Sequence, residues 1–180
     1  LQLALDAASM GLWDWNLLTD DVYFSPIWMS MLGYGPNELE PNVSTWQDLL
    51  HENDREKSLS HVNTSIEDRD EGFEMEFRML CKDGGYKWIL AKGRAVQFDD
   101  EGNTIRLAGT HEDIDERKRN ENIQSTLFHI SNAVNTTKNL QELYEKIQEY
   151  LNLVVDTTNC FLAIFHEETN TLTLPFLRDE

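Results

Sequence analysis

The feature that most constrains the fold is a strictly alternating stretch in the middle of this 180-residue chain. Apolar side chains occupy every second position from Phe73 to Cys81, and the charged residues Glu74, Glu76 and Arg78 fall between them. A period of two predicts a strand with one face buried and the other exposed to solvent. A single strand cannot bury such a face alone, so we expect further strands close by in the sequence.

Two turns predict where those strands lie. Residues 82–85 read Lys-Asp-Gly-Gly, which tolerates positive φ and favours a hairpin leading into a second strand over 86–98. A second polar turn at 99–103 leads into a third strand, which ends at residues 113–115. The expected result is a three-stranded antiparallel meander that leads directly into a charged helix.

The N-terminal part is predicted to add one more hairpin and several short helices. We expect a helix over 1–8 that Gly11 ends, and then an aromatic-rich hairpin formed by 12–18 and 22–25. Ser25 and Pro26 suit the start of a short helix that ends at Leu32. Helical turns over 37–51 then bury three side chains, and a longer helix over 54–68, capped by Asn53, crosses the sheet; the three buried side chains are Trp46, Leu49 and Leu50.

A helix predicted over 115–136 is charged at first and then carries an apolar seam with spacings of four, three and four: Ile123, Leu127, Ile130 and Val134. This spacing is typical of a short parallel coiled coil, with Asn120 at a polar core position. An amphipathic helix packed within its own chain would have the same pattern. If the coiled coil forms, the chain is a homodimer through helices 1–8 and 123–134.

The last part of the chain predicts a second, smaller unit. Asn139 and Glu142 form a capping box, and the helix they begin carries one apolar face up to Val154. Residues 160–165 predict a buried strand and 171–174 a second strand. The two would lack sheet neighbours, so we expect another chain or further residues to cover them.

Five motifs together resemble a PAS domain with a C-terminal PAC half: G-L-W-D-W-N-L, M-L-G-Y, L-L-H-E-N-D-R, K-D-G-G-Y-K-W-I and G-T-H-E-D-I-D-E-R-K. The resemblance covers residues 1–118 and implies an α+β fold, with a five-stranded antiparallel sheet, helices on one face and a C-terminal signalling helix. Two positions depart from the family pattern: Glu52-Asn53 stand where Pro and any residue usually follow the histidine, and Asp115 stands where Thr is usual. Residues 119–136 would be a helical linker, and 137–180 resemble the first part of a GAF domain with its α/β pattern.

The resemblance implies a sensory and dimerising regulatory module. PAS followed by GAF is similar to the arrangement in sensor histidine kinases of two-component systems, and also in diguanylate cyclases. We therefore expect a downstream kinase or cyclase domain in the same chain. A dimerisation module that binds no ligand is the alternative.

Composition excludes several other classes of function. With 33 acidic against 15 basic residues the net charge is −18, which repels nucleic acid and anionic membranes. The two cysteines, Cys81 and Cys160, have no metal-ligand or disulfide spacing, so a reducing cytoplasm is the simplest setting. No apolar run reaches the length of a membrane span and no signal peptide is visible. The chain begins inside a helical pattern, and we expect it to be part of a longer protein.

If the resemblance holds, a ligand pocket lies between the inner face of the sheet and the short helices. The side chains expected to line it are Trp15, Met29, Leu32, Trp46, Leu59, Phe77 and Leu90. Apolar pockets of this kind hold small ligands in many proteins. The alternative is that the same side chains simply close the core.

The residues give little support for a cofactor, a metal or catalysis. Haem needs an axial histidine, and His61 on the crossing helix is expected at the surface, His51 in a turn and His111 on the solvent or partner side. Light-sensing flavin chemistry needs a cysteine on the crossing helix, where this chain has none, although its tryptophans leave non-covalent flavin open. No catalytic motif occurs.

Signal transmission is predicted where the last strand meets the helix, at Asp113, Ile114, Asp115 and Arg117. Asp113 would hold the helix start, by capping it or by pairing with Arg117.

Overall fold

The computed structural model describes residues 9–67, 72–155, 157 and 160–178. The chain divides into two compact units, and the division lies between Asp115 and Glu116. The helix expected over 1–8 lies outside the described residues. The division falls three residues before the domain limit expected at 118.

The first unit is built on a five-stranded antiparallel sheet, as expected. Its strands are β1 (Gly11–Asn16), β2 (Val22–Phe24), β3 (Phe73–Leu80), β4 (Tyr86–Phe98) and β5 (Thr104–Asp113), in the spatial order β2-β1-β5-β4-β3. The predicted meander forms β5-β4-β3, and the N-terminal hairpin joins it by pairing β1 with β5. The fold is therefore α+β, with the exit helix following the central strand of the sheet.

The strand register decides which side chains face the core. Directly opposite residues point to the same face, and Phe77 is opposite Ile89 while Ala91 is opposite His111. Phe77, Ile89 and Ala91 are each 0% exposed. The alternation read from β3 thus holds across the sheet and creates one apolar inner face.

Two helices of the first unit follow the sequence signals closely. Helix α1 (Pro26–Met31) begins with Pro26, and the Ser25 hydroxyl accepts hydrogen bonds from the N–H of Trp28 and of Leu12. Helix α2 (Val43–Leu49) is capped by the Asn42 side chain, and the three side chains expected to be buried around it, Trp46, Leu49 and Leu50, are buried.

Helix α3 (Glu52–Glu67) starts two residues earlier than expected. Asn53 therefore lies in its first turn and does not cap it, so the prediction for Asn53 is wrong. His51 takes that place, because its Nδ1 accepts from the Asn53 N–H at 3.2 Å and its carbonyl accepts from Asp54. The Asp54 carboxylate is instead held by Arg78 of β3 at 2.8 Å, which fixes the start of α3 against the edge of the sheet.

The second unit contains most of helix α4 (Asp115–Thr136), helix α5 (Leu140–Leu151) and a hairpin of β6 (Cys160–His166) and β7 (Thr171–Arg178). Half of the expected capping box forms, because the Asn139 side chain accepts from the Glu142 N–H. The Glu142 carboxylate accepts from the N–H of Lys138, one residue before the N-cap, and not from that of Asn139. Helix α5 ends at Leu151, so the extension to Val154 was wrong. The expected burial of β6 was also wrong, since Phe161 and Phe165 are 68% and 55% exposed.

Within this unit α4 packs on α5 through a face that is not the apolar seam. Thr126 and Ala133 are buried, the Thr126 hydroxyl donates to the Tyr150 carbonyl, and the rings of His129 and Tyr150 stack at 5.0 Å. The seam residues Leu127 and Val134 are about 60% exposed. The seam is thus still available to a partner.

Candidate functional site

The first unit contains an apolar cavity of ≈ 40 Å³ against the inner face of its sheet. Its wall combines side chains from the N-terminal hairpin, the sheet, α2 and α3: Trp13, Trp15, Val22, Phe24, Val43, Trp46, Val62, Phe73, Met75 and His111. Each of these elements also contributes side chains to the hydrophobic core of the first unit. The cavity therefore lies in the space where the sequence predicted a pocket.

Trp13 reaches this wall because two glycines leave room for its ring. A Cβ added to Gly93 would lie 2.5 Å from Trp13 Cζ2, and one added to Gly109 would lie equally close. Both positions face inward on neighbouring strands, opposite each other. The indole therefore lies flat over the strands and stacks with Phe73 at 6.0 Å.

Among the described residues that line the cavity, His111 is the one with an ionisable side chain. Its Nδ1 accepts a 2.8 Å hydrogen bond from Trp28 Nε1–H of α1, and the rings of Trp13, Trp28 and Phe77 surround it. Burial lowers the pKa of His111 to about 3, so the imidazole is neutral at neutral pH. Because Nδ1 is the acceptor, the proton is on Nε2.

The expectation that His111 faces solvent was therefore wrong. His111 is four residues after the fully buried Leu107 on the same strand, and residues an even number apart share a face. That spacing was visible in the sequence and outweighs the polarity of the side chain.

Three further residues that line the cavity are tryptophans, each with an indole N–H group. The Nε1 atoms of Trp13, Trp15 and Trp46 are buried, and within the described part of the chain none has a hydrogen-bond acceptor. Trp13 and Trp46 are each only 8% exposed. Buried donors normally have partners, so three unpaired indole donors among the residues around one cavity are unusual.

The structure brings together two of the seven predicted pocket residues, Trp15 and Trp46, on the cavity wall. Leu32 and Phe77 are fully buried in the surrounding core, and Met29 and Leu59 are partly buried against it. The prediction that Leu90 lines the pocket is wrong. Leu90 is opposite Glu76, so it lies on the outer face of the sheet, and Ile89 takes the inward position.

Two cavity residues that the sequence reasoning missed, Phe73 and Met75, belong to the same alternation as Phe77 and could have been found from it. Val43 and Val62 could not, because the depth of a helical residue depends on how its helix lies on the sheet. His61 is exposed, as expected, and borders an open groove of ≈ 420 Å³ together with Leu90.

The cavity fits neither haem nor a flavin, because both are far larger than ≈ 40 Å³. Cys81, whose thiol pKa is raised by burial, stands at the end of β3 and is not part of the wall. Across the described ranges no three His, Cys, Asp or Glu side chains come close enough to hold a metal ion. Nor does any helix in those ranges combine the length and apolar character that crossing a membrane requires.

Comparison with known proteins identifies the fold of the first unit. Residues 21–111, half of the chain, match the family described as PAS fold. The chain belongs to the PAS family.

The structure of a sensory box histidine kinase/response regulator from Burkholderia thailandensis is similar to this PAS domain, with a TM-score of 0.61 and 33% identity over 69% of this chain and 91% of that one. Hybrid signal transduction histidine kinase A of Dictyostelium discoideum is 32% identical over 106 residues, 56% of this chain. A probable diguanylate cyclase, DgcE of Escherichia coli, is 29% identical over 119 residues, 66% of this chain. The matched segments span only 5% and 10% of these two curated relatives. The PAS domain of this chain is accordingly a signal-sensing regulatory module.

The C-terminal end of the PAS domain ties its last strand to the start of α4. One oxygen of Asp113 accepts from the Asp115 N–H at 3.0 Å, and the other binds Lys87 Nζ of β4 at 2.8 Å. Asp115 in turn accepts from the Trp88 N–H, and Ile114 is buried. The hydrogen bond with Asp113 raises the pKa of Lys87.

Lys87 also donates to the Met31 carbonyl at the end of α1, at 3.0 Å. Helix α1 is thus hydrogen bonded through Trp28 to the wall residue His111, and through Met31 to Lys87, which binds Asp113 just before α4. Arg117, the other expected partner of Asp113, lies 4.0 Å from Glu121 one turn further along α4.

Proposed function

We propose that this PAS domain senses a small molecule in its inner cavity and passes a conformational signal to α4. The observation that carries the proposal is the continuous set of contacts from the wall to the helix start. His111 is hydrogen bonded to Trp28 of α1, the end of α1 to Lys87, and Lys87 to Asp113. A change in the cavity that moves α1 would therefore alter the contacts of Asp113, Ile114 and Asp115.

The wider setting we propose is the cytoplasmic regulatory part of a homodimeric sensor histidine kinase of a two-component system. Three features support it: the kinase relatives, the exposed seam of α4, and a C-terminal unit whose helix and hairpin follow the order expected for the start of a GAF domain. The last strand and the start of α4 carry the sequence G-T-H-E-D-I-D-E-R-K, which resembles a PAC half. The regulatory region of a diguanylate cyclase is the second candidate, favoured by the relative in Escherichia coli.

The ion pair at the start of α4 contributes little free energy, but enough to shift a two-state equilibrium. Lys87 and Asp113 are each about a third exposed, and a pair of this kind contributes roughly 0–1 kcal/mol to stability. Two states of a sensor that differ by a few kcal/mol can be shifted by that amount. Arg117 would act within α4, by keeping its first turns helical through Glu121.

The test uses the full-length protein and measures autophosphorylation from labelled ATP, with cyclic diguanylate formation assayed in parallel to detect the cyclase alternative. Asp113→Ala removes both the ion pair and the helix contact, and Asp113→Asn removes only the charge. We expect Asp113→Ala to change output by up to about fivefold, the equivalent of 1 kcal/mol, and Asp113→Asn by less.

Glu112→Gln is the matched control, because Glu112 is opposite Leu90 and so lies on the outer face of the same strand. If both Asp113 variants keep the output of the wild type, the helix start does not transmit the signal. A protein that still dimerises but responds to none of these changes would fit a dimerisation module without a ligand.

A further inference from the structure

The surface that lines the inner cavity of the PAS domain is almost entirely carbon and sulfur. Nine of the ten described residues around it are apolar or aromatic, and His111 is the tenth. The indole nitrogens of the three tryptophans are buried within the wall, so a water-sized sphere in the cavity does not reach them. The His111 imidazole is hydrogen bonded to Trp28 and adds hardly any polar surface. A molecule inside the cavity would therefore meet almost no hydrogen-bonding group.

The aromatic rings around this space are held by other rings. Trp13 stacks on Phe73 with their centroids 6.0 Å apart, and Phe24 stacks on Trp28 of α1 at 4.0 Å. Empty space in a core disappears where the surrounding side chains can collapse into it, and closely packed rings hinder such a movement. The cavity is thus a space with a fixed shape that an apolar molecule can fill.

We propose that this cavity binds a small hydrocarbon-like molecule that has no charge and no hydrogen-bonding group. The proposal rests on the ligand-sensing function above and names the chemical class of the ligand. Such a molecule loses no hydrogen bonds when it leaves water, and it gains close contacts with the aromatic and aliphatic wall.

Water fits this lining poorly. A buried water usually makes about three hydrogen bonds, and the described wall has almost no polar surface to offer them. Apolar cavities in proteins can stay dry for this reason, and they then take up apolar molecules such as benzene or xenon. An apolar ligand would therefore not have to displace well-bound water.

Polar and charged ligands are disfavoured by the same lining. A carbonyl or hydroxyl group would give up its hydrogen bonds with water and find no replacement among the described wall residues. A carboxylate would lose more, because no Lys or Arg contributes to that wall and His111 is neutral. The preference should therefore run from hydrocarbon to ketone to anion.

The cavity volume limits the size of the ligand. A water-sized group needs about 10–15 Å³ of such space, so ≈ 40 Å³ has room for about three or four non-hydrogen atoms. Isobutene, acetone and acetate share one flat skeleton of this size. They differ only in polarity and charge, so together they test the chemical class without changing the shape.

The experiment records methyl NMR spectra of the 180-residue chain with ¹³C-labelled valine while each probe is added. Val22, Val43 and Val62 line the cavity, whereas Val96 and Val134 are 47% and 59% exposed. We expect isobutene to shift the signals of the cavity valines in a saturable way and to show nuclear Overhauser contacts with them. The two exposed valines should show neither effect. Acetone should bind at least tenfold more weakly, and acetate should not bind.

Filling the cavity provides the matched variants. Val62→Ile on α3 adds one methyl group to a side chain of the wall and should weaken isobutene binding at least fivefold. Val43→Ile makes the same change from α2, so that the test remains valid if one of the two variants does not fold. Val96→Ile adds the same group at an exposed position and should leave the affinity unchanged.

The proposal is overturned if acetone or acetate binds as tightly as isobutene, if isobutene contacts only the exposed valines, or if no probe binds the folded chain. Undiminished binding to the filled variants would overturn it as well. These outcomes are separate from the output measurements on Asp113. A cavity that prefers acetone or acetate would still be a sensor site, and only the hydrocarbon class would be wrong.

Discussion

Strands with similar apolar patterns are buried in the first unit of the chain and exposed in the second. In the PAS domain the alternating residues of β3 are buried, and Phe77 and Met79 are 0% exposed. In the second unit four large apolar residues of β6 and β7 are exposed among those whose side chains the structure describes, including Phe161 at 68% and Leu172 at 67%. An apolar alternation therefore predicts a strand, but only the neighbouring elements decide whether its face is covered.

The neighbours differ in a simple way. Strands β1, β4 and β5 each have a partner on both sides, and helices α1 to α3 pack on the inner face. The hairpin of β6 and β7 is a two-stranded sheet, in which every strand is an edge. Two-stranded sheets are only marginally stable alone, so we expect β6 and β7 to gain stability from a partner.

The largest effect should come from matched truncations of two phenylalanines. Phe77→Ala removes a fully buried ring from the PAS core and should lower the free energy of unfolding by about 3–5 kcal/mol. Phe161→Ala removes an exposed ring and should change the local stability of its hairpin by less than about 0.5 kcal/mol. All five tryptophans precede residue 89, so fluorescence in urea reports on the PAS domain, and amide hydrogen exchange reports on β6 and β7.

A loss of 2 kcal/mol or more on Phe161→Ala, estimated from the exchange rates of β6 and β7, would contradict an exposed position for this ring. It would mean that the exposed face of the hairpin is covered in solution.

The second effect is a pH dependence that the PAS domain alone should show. The pKa of His111 is about 3 when folded and 6.5 in its unperturbed state, so below pH 6.5 the unfolded chain binds a proton that the folded chain does not. Stability from this group is complete above pH 6.5 and is lost as the pH falls. Between pH 6.5 and 4.5 the free energy of unfolding should drop by roughly 2–3 kcal/mol.

His111→Gln should remove this slope, while its amide oxygen can still accept from Trp28. The hydrogen bonds with Arg78 lower the pKa of Asp54, whose contribution is lost only at more acidic pH, so the window above pH 4.5 isolates His111. Urea unfolding at several pH values measures the slope. An unchanged slope in the variant would show that His111 is not the group responsible.

The local elements of the PAS domain could be predicted from the sequence because their signals are local. Ser25 with Pro26 starts a helix wherever the helix packs, and the β3 alternation needs only its own residues. The cavity is harder to predict. The face of Leu90 follows from the register between strands, whereas the error for His111 comes from weighing its polarity above its spacing from Leu107. The three unpaired indoles were not predictable, since hydrogen-bond partners depend on contacts between distant residues.

The two wrong predictions in the second unit, the end of α5 and the burial of β6, have a similar origin. Helix α5 ends at Leu151 although the apolar pattern continues to Val154, because a pattern does not include a stop signal. The burial expected for β6 would need further elements packed on the hairpin, whereas β6 pairs with β7 in a two-stranded sheet. Predictions from local sequence fail where the burial of a segment depends on residues distant in the sequence.

The smallest expected effect tests what covers the exposed seam of α4. Leu127→Glu places a charge on the seam and should weaken dimerisation at least tenfold, about 1.4 kcal/mol, because like charges would meet in a parallel pair. Ser125→Glu adds the same charge at an exposed position away from the seam and should leave the dimer intact. Sedimentation equilibrium of the 180-residue chain measures both. If Leu127→Glu has no effect while Phe161→Glu abolishes association, the hairpin and not the helix binds the second copy. The exposed faces of the second unit would then be an interface of a different kind, and the coiled coil would have to be abandoned.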